Sequence, residues 1–171
     1  MFQPIQAFYS DYSDLNEFLL SHGEYSLSID VNHHFRKIFL LSCASYYETQ
    51  IVDIVKQFVD NHSSDDRVLA FVTKKAIDRQ YHTFFDWEPN SNVNKFLSLF
   101  GVDFKDRVSA EIRQSVDLSN QARAFQVIGG ERNKMVHENF LEYTLDKSFG
   151  ELIELNEKAS LFIDYLKEKF N

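Results

Sequence analysis

Apolar residues recur along this chain at the three- and four-residue spacing of helices. The longest such run covers Ser28 to Asn61 without a glycine or proline, with Phe39, Cys43, Tyr47, Ile51, Ile54 and Phe58 on one stripe. A second long run, about residues 147–170, places Phe149, Leu152, Leu155, Ala159, Phe162, Ile163, Leu166 and Phe170 on one face. Between them the pattern predicts a helix over 65–86, with Val68, Leu69, Val72, Ala76 and Gln80 at helical spacing. A short helix follows, with Val93, Phe96, Leu97 and Phe100 inward and Gly101 closing it. A further helix is expected from an Asp103 cap to about Ser115, and another opening after a turn at 117–120. At the front, residues 1–27 read as a lead-in segment with a short helix over Asp11–His22, its Leu15, Phe18 and Leu19 inward and Gly23 as the stop. Punctuation is sparse: a loop and cap signal at 61–66, and a break at Trp87-Glu-Pro-Asn-Ser91.

This pattern predicts one all-α domain over 1–171, with the main bundle from residue 28 onward. The composition agrees. Five glycines and two prolines in 171 residues disfavour a loop-rich or β fold. Seventeen phenylalanines predict a bulky aromatic core, with apolar surface left for a partner. A single cysteine, Cys43, excludes an internal disulfide and any cysteine-based zinc cluster, and lies on a core stripe where it should be inert. The first residues carry neither the basic nor the apolar region of a signal peptide, and no apolar run approaches spanning length. A cytoplasmic location is expected.

The net charge of −8 argues against indiscriminate nucleic-acid binding. Its distribution is uneven. Residues 104–134 carry six basic against four acidic side chains, while the segments on either side are net acidic. That positive stretch reads either as a local phosphate site or as a solvated basic helix face.

It leads into Glu131-Arg-Asn-Lys-Met-Val-His137. On a helix Asn133 and His137 stack at i, i+4, and tracing that line backward gives Gly130 and Gln126. The neighbouring stripe reads Phe125, Ile128, Gly129, Met135, Val136 and Phe140. Arg132 falls on this apolar stripe, with Ile128, Gly129, Met135 and Val136 as its helix neighbours. A guanidinium there calls for an anion or a phosphate. Glu48 mirrors it in the first long helix, with Ala44, Ser45, Ile51 and Val52 around it. The economical expectation is that Glu48 and Arg132 meet in the core, as a supporting catalytic pair or as a plain buried salt bridge. Gly129-Gly130 in mid-helix costs about 2 kcal/mol relative to two alanines. It signals close approach of another backbone or a ligand, or else a simple defect. Arg79, Tyr81 and His82 could reach a ligand, although core edge or surface suits them better. The adjacent His33 and His34 point about 100° apart and cannot chelate one metal from one face.

The string Arg132-Asn133-x-x-x-His137, late in an all-helical chain with one amphipathic helix behind it, resembles the motif of HEPN-domain proteins. The resemblance covers roughly residues 30–170. It implies an up-and-down helical bundle with additional short helices, paired into a homodimer. It also implies a metal-independent endoribonuclease in which Arg132, Asn133 and His137 of two protomers face each other across a cleft, with Glu48 in support. The polar line through Gln126 would form part of the two-fold patch, and Lys134, Arg123 and Gln126 are candidate RNA contacts. No cofactor, metal or membrane is expected. An antitoxin or defence-system protein is the partner the resemblance suggests. Two rival readings stand beside it: a non-catalytic HEPN-like dimer that binds a partner protein or a nucleotide, and an acidic, antitoxin-like regulatory protein without RNA affinity. Glycine-rich phosphate loops and His-Glu-x-x-His zinc helices are absent from the sequence.

Overall fold

The computed structural model describes residues 3–171; the first two residues of the expected lead-in lie outside the described part. The order is α1 (Gln3–Ser21), α2 (Tyr25–His62), α3 (Asp66–Val72), α4 (Tyr81–Phe84), α5 (Asn94–Ser98), α6 (Val102–Gln114), α7 (Val116–His137) and α8 (Phe149–Phe170). There is no strand among the described residues, so the chain is an all-α bundle with short helices inserted between the long ones.

α2, the 38-residue helix, is the axis on which α1, α7 and α8 pack. Ring pairs fix their directions. Phe39 meets Phe149, and Phe58 meets Phe170, so α2 and α8 run parallel. Phe125 of α7 meets Tyr47 of α2, while Gly129 and Arg132 share a crevice with Ala44. So α7 runs antiparallel to α2 and therefore to α8, against which Phe125 meets Phe162. Phe8 stacks on Phe35 at 5.1 Å and Ser28 donates to Asn16, setting α1 antiparallel to α2. The phenylalanine surplus fills this interior: Phe85, Phe96, Phe125 and Phe162 are all buried. Tyr47 adds one buried polar tie, its hydroxyl donating to Asn156 Oδ1 at 2.6 Å.

Several local expectations need correction. α1 is longer than Asp11–His22, and its inward residues are Ile5, Tyr12 and Leu19. Leu15 and Phe18 face outward, because Phe8, Tyr9 and Tyr12 pack on Phe35 and Phe149 and set the phase. Gly23 does close it, at φ +75°. The helix expected over 65–86 is broken. Asp65 caps α3 through Arg67 N–H, a π-helical turn occupies Thr73–Ile77, and Arg79 at φ +62° ends the run before α4. The wider turn shifts the helical phase, so Ile77, Phe84 and Phe85 are buried while Val68 is exposed. Gly101, at φ +101°, precedes α6 where Asp103 was the expected cap. Ser115 caps α7, accepting from Leu118 N–H at 3.2 Å, so that helix opens before the expected 117–120 turn. α8 begins with a reciprocal capping box between Ser148 and Glu151.

Candidate active site

α7 changes character along its length. Ala122, Ala124, Phe125, Ile128, Gly129 and Gly130 are buried, whereas Asn133 is half-buried and His137, its last residue, is exposed. Val136, expected in the core stripe, is 48 % exposed; Met135 carries that turn's packing alone.

α2 and α7 bring Glu48 to Arg132, as the lone charges among uncharged neighbours suggested. The pair is not in the core. Arg132 Nη2 lies 4.0 Å from Glu48 Oε2, with the side chains 37 % and 42 % exposed. Solvent therefore shares their charge. Arg132 closes a narrow crevice with Ala44, Tyr81, His82, Trp87 and Gly129. Burial raises the Tyr81 hydroxyl well above the usual tyrosine range; the Glu48 carboxylate adds to this and Arg132 opposes it. Tyr81 is therefore a neutral hydrogen-bonding wall. Its proximity to Arg132, like that of His82, was underrated in the sequence because the break at Arg79 was not visible there.

The paired glycines have a physical cause. A Cβ on Gly129 would fall 1.9 Å from Trp87 Cζ3, and one on Gly130 would sit 3.4 Å from the Trp87 carbonyl oxygen. A close approach is present, but at Gly129 it is made by a side chain, the Trp87 indole, where a backbone or a ligand was expected; only Gly130 faces backbone, the Trp87 carbonyl. The segment following α4 crosses α7 at these two residues and divides the helix surface into two sides. Trp87 itself was legible only as part of a break.

His137 is five residues beyond Arg132, about 7.5 Å along the axis and about 140° around it. Asn133 shares the His137 line. No side-chain hydrogen bond joins Asn133 or His137 to another described residue, so the three motif residues do not form a hydrogen-bonded set within one chain. The segment after His137 is held firmly from α2. Lys37 is buried and donates to the Phe140 carbonyl at 2.8 Å, with its ammonium 5.3 Å from the Phe140 ring centre. Burial, and then Arg36, hold that ammonium below the usual lysine range. Arg36 donates to the carbonyls of Leu145 and Lys147.

The other candidate contacts lie across the Trp87 crossing. Lys134 is 3.3 Å from Glu131, whose second oxygen accepts from Tyr143 at 2.6 Å. Arg123 is exposed and has no ion pair among the described residues, while Gln126 is buried. Arg123 and Gln126 line one cleft; Lys134 lines an adjoining hollow with both of them. Neither space includes Arg132, so the structure separates these residues from the Glu48–Arg132 crevice. Among the described residues no three or more His, Cys, Asp and Glu side chains are placed to hold a metal ion. Cys43 is buried, and burial pushes its thiol up to about 12, so it is held as an unreactive core thiol. No helix of the described residues is long and apolar enough to cross a membrane.

An all-helical bundle whose α7 ends in Arg-Asn-x-x-x-His, with Glu48 of α2 4.0 Å from the arginine, agrees with the HEPN type that the motif resembles. The family model described as RiboL-PSP-HEPN matches residues 6–171, and the chain belongs to that family. No curated protein and no solved structure matches it.

Proposed function

We propose that this protein is a metal-independent HEPN-type endoribonuclease, acting in a reducing cytoplasm and possessing a complete site only as a homodimer. The observation that carries the reading is the exposed end of α7. There Arg132 keeps more than a third of its side chain open to solvent beside Glu48, and Asn133 and His137 follow it without internal partners.

The chemistry asks for three acts. A base takes the proton from a ribose 2′-OH; the resulting oxygen attacks the adjacent phosphorus; and the bond to the 5′-oxygen breaks as that oxygen receives a proton. The products carry a 2′,3′-cyclic phosphate and a free 5′-hydroxyl. His137 suits the proton transfers. Arg132, with its planar fork, suits the charge that grows on the phosphoryl oxygens. Asn133, one turn before His137 on the same line of α7, suits orienting it or binding a phosphate oxygen. Arg132 and His137 point from one helix in directions about 140° apart, so one protomer offers them poorly to a single phosphate. Two copies facing across a two-fold axis would supply both an acid and a base. Membership of a toxin–antitoxin or antiviral defence system, with a neutralising protein partner, belongs to the same proposal.

The test is cleavage of a structured RNA by purified protein in excess EDTA, beside His137→Ala. Cleavage by wild type alone, with cyclic-phosphate ends, supports the reading. Cleavage by both overturns the assignment of His137; cleavage by neither, from a folded dimer, overturns the reading in favour of a non-catalytic dimer that binds a protein or nucleotide.

A further inference from the structure

The side of α7 away from Arg132 carries a second constellation. A cleft of about 340 Å³ lies between α6, α7 and residues 90–94. That volume is within the range of small-ligand sites. Its walls are polar, with Asn90, Asn92, Asn94, Ser109 and Ser119 around an apolar floor of Val93, Ile112 and Ala122.

Two observations point to an occupant. Gln126 is only 8 % exposed, and its amide nitrogen and oxygen, both shut off from solvent, have no hydrogen-bond partner among the described residues, so the carboxamide must turn to meet a ligand in the cleft. A buried carboxamide left so is costly, and becomes favourable when it meets an edge bearing both a donor and an acceptor. At the same cleft stand Arg113 and Arg123, both exposed and neither in an ion pair among the described residues. Two unneutralised guanidinium groups on a chain of net charge −8 mark a place for an anion. An apolar ligand would leave Gln126 unsatisfied, and a simple anion would accept from its amide nitrogen but leave its amide oxygen unpaired. A planar nitrogenous base joined to a phosphate uses both.

We propose that this cleft binds a nucleoside monophosphate group, with Gln126 reading the base edge and Arg113 and Arg123 holding the phosphate. A glutamine side chain pairs with a base edge in this bidentate way. The nucleotide is either free or one unit of an RNA strand. Gln126 and His137 lie about 20° apart around α7 and about 16 Å apart along it. A hollow of about 190 Å³ lined by Gln126, Gly130 and Lys134 lies between them. A strand held in the cleft therefore has a path toward His137, although the site does not depend on cleavage there.

Calorimetric titration of the full chain, as wild type and as His137→Ala, with AMP, CMP, GMP, UMP and ribose 5-phosphate tests this. At least one mononucleotide is expected to bind, with ribose 5-phosphate about tenfold weaker or more. Gln126→Met should weaken mononucleotide binding about tenfold or more while leaving the melting temperature equal or higher, since the orphan amide is gone. Arg123→Gln should weaken binding and flatten its salt dependence. Displacement of the mononucleotide by a short single-stranded RNA assigns the site to a strand; failure of displacement assigns it to a free nucleotide. Three results overturn the proposal: no mononucleotide bound at millimolar concentration, undiminished affinity in Gln126→Met, or a lowered melting temperature in that variant. If Gln126→Met does not fold, retained affinity in Arg123→Gln overturns it alone. Binding without RNA cleavage leaves this site standing and removes the ribonuclease reading; cleavage without binding does the reverse.

Discussion

The two halves of α7 follow different rules. Residues 122–130 are packed so closely that a backbone hydrogen at Gly129 faces an indole ring. In residues 131–137, Asn133 and His137 make no side-chain hydrogen bond among the described residues and Arg132 only a long, half-exposed ion pair. One helix thus anchors the bundle with its first half and presents chemistry with its second. Substitutions on the packed face of the first half should be read in stability and those in the second in activity, with the cleft-lining Arg123 and Gln126 set apart from both.

The sharpest way to break this division is His137→Ala. It should lower RNA cleavage by about 10²-fold or more with an unchanged melting temperature; a marked drop in melting temperature would place His137 with the packing half. In the first half, Gly129→Ala should destabilise by about 2–4 kcal/mol, because a methyl group displaces the Trp87 ring from its contacts with Phe85 and Phe125. Denaturant titration reads this loss, and adding Trp87→Ala should make the combined loss smaller than the sum of the two. Arg132→Ala should abolish cleavage yet reduce stability by less than about 1 kcal/mol, as for a long, half-exposed ion pair. A loss of several kcal/mol would mean a buried pair after all. Gly130→Ala, one residue from the most damaging change, should raise stability by about 0.5–1 kcal/mol, because a Cβ there makes only ordinary contact and alanine favours the helix.

A smaller effect concerns Cys43. Its folded-state pKa of about 12 stands above the ordinary 9.0, so the contribution to stability is present below pH 9 and fades as pH rises toward 12. Cys43→Ala should flatten that alkaline decline in a urea-midpoint series. At pH 8 the native thiol should resist alkylation until the chain unfolds.

The long helices were legible because twenty or more residues of periodic apolar positions outweigh any local ambiguity: α2 and α8 end within three residues of their expected limits. The break after Val72 was not, since a π turn and a left-handed Arg79 carry no glycine or proline to announce them. The meeting of Glu48 with Arg132 followed from each being the one charge among uncharged neighbours on its own helix. Its exposure did not, because neighbours on the same helix do not reveal how far a side chain reaches past the next one. Gly129-Gly130 announced a close approach but not its source, since Trp87 arrives from a segment without periodicity.

Trp87 is also the only tryptophan in the chain. It lines the Arg132 crevice on one side and the hollow beside Gln126 on the other, within about 6 Å of the rings of Tyr81, Phe85 and Phe125. The molecule therefore carries a built-in optical probe. Excited at the red edge, where tyrosine is silent, its emission comes from one indole seated between the proposed cleavage site and the proposed nucleotide site. Quenching by acrylamide, followed as ligand is added, reads occupancy of either side in the unlabelled protein.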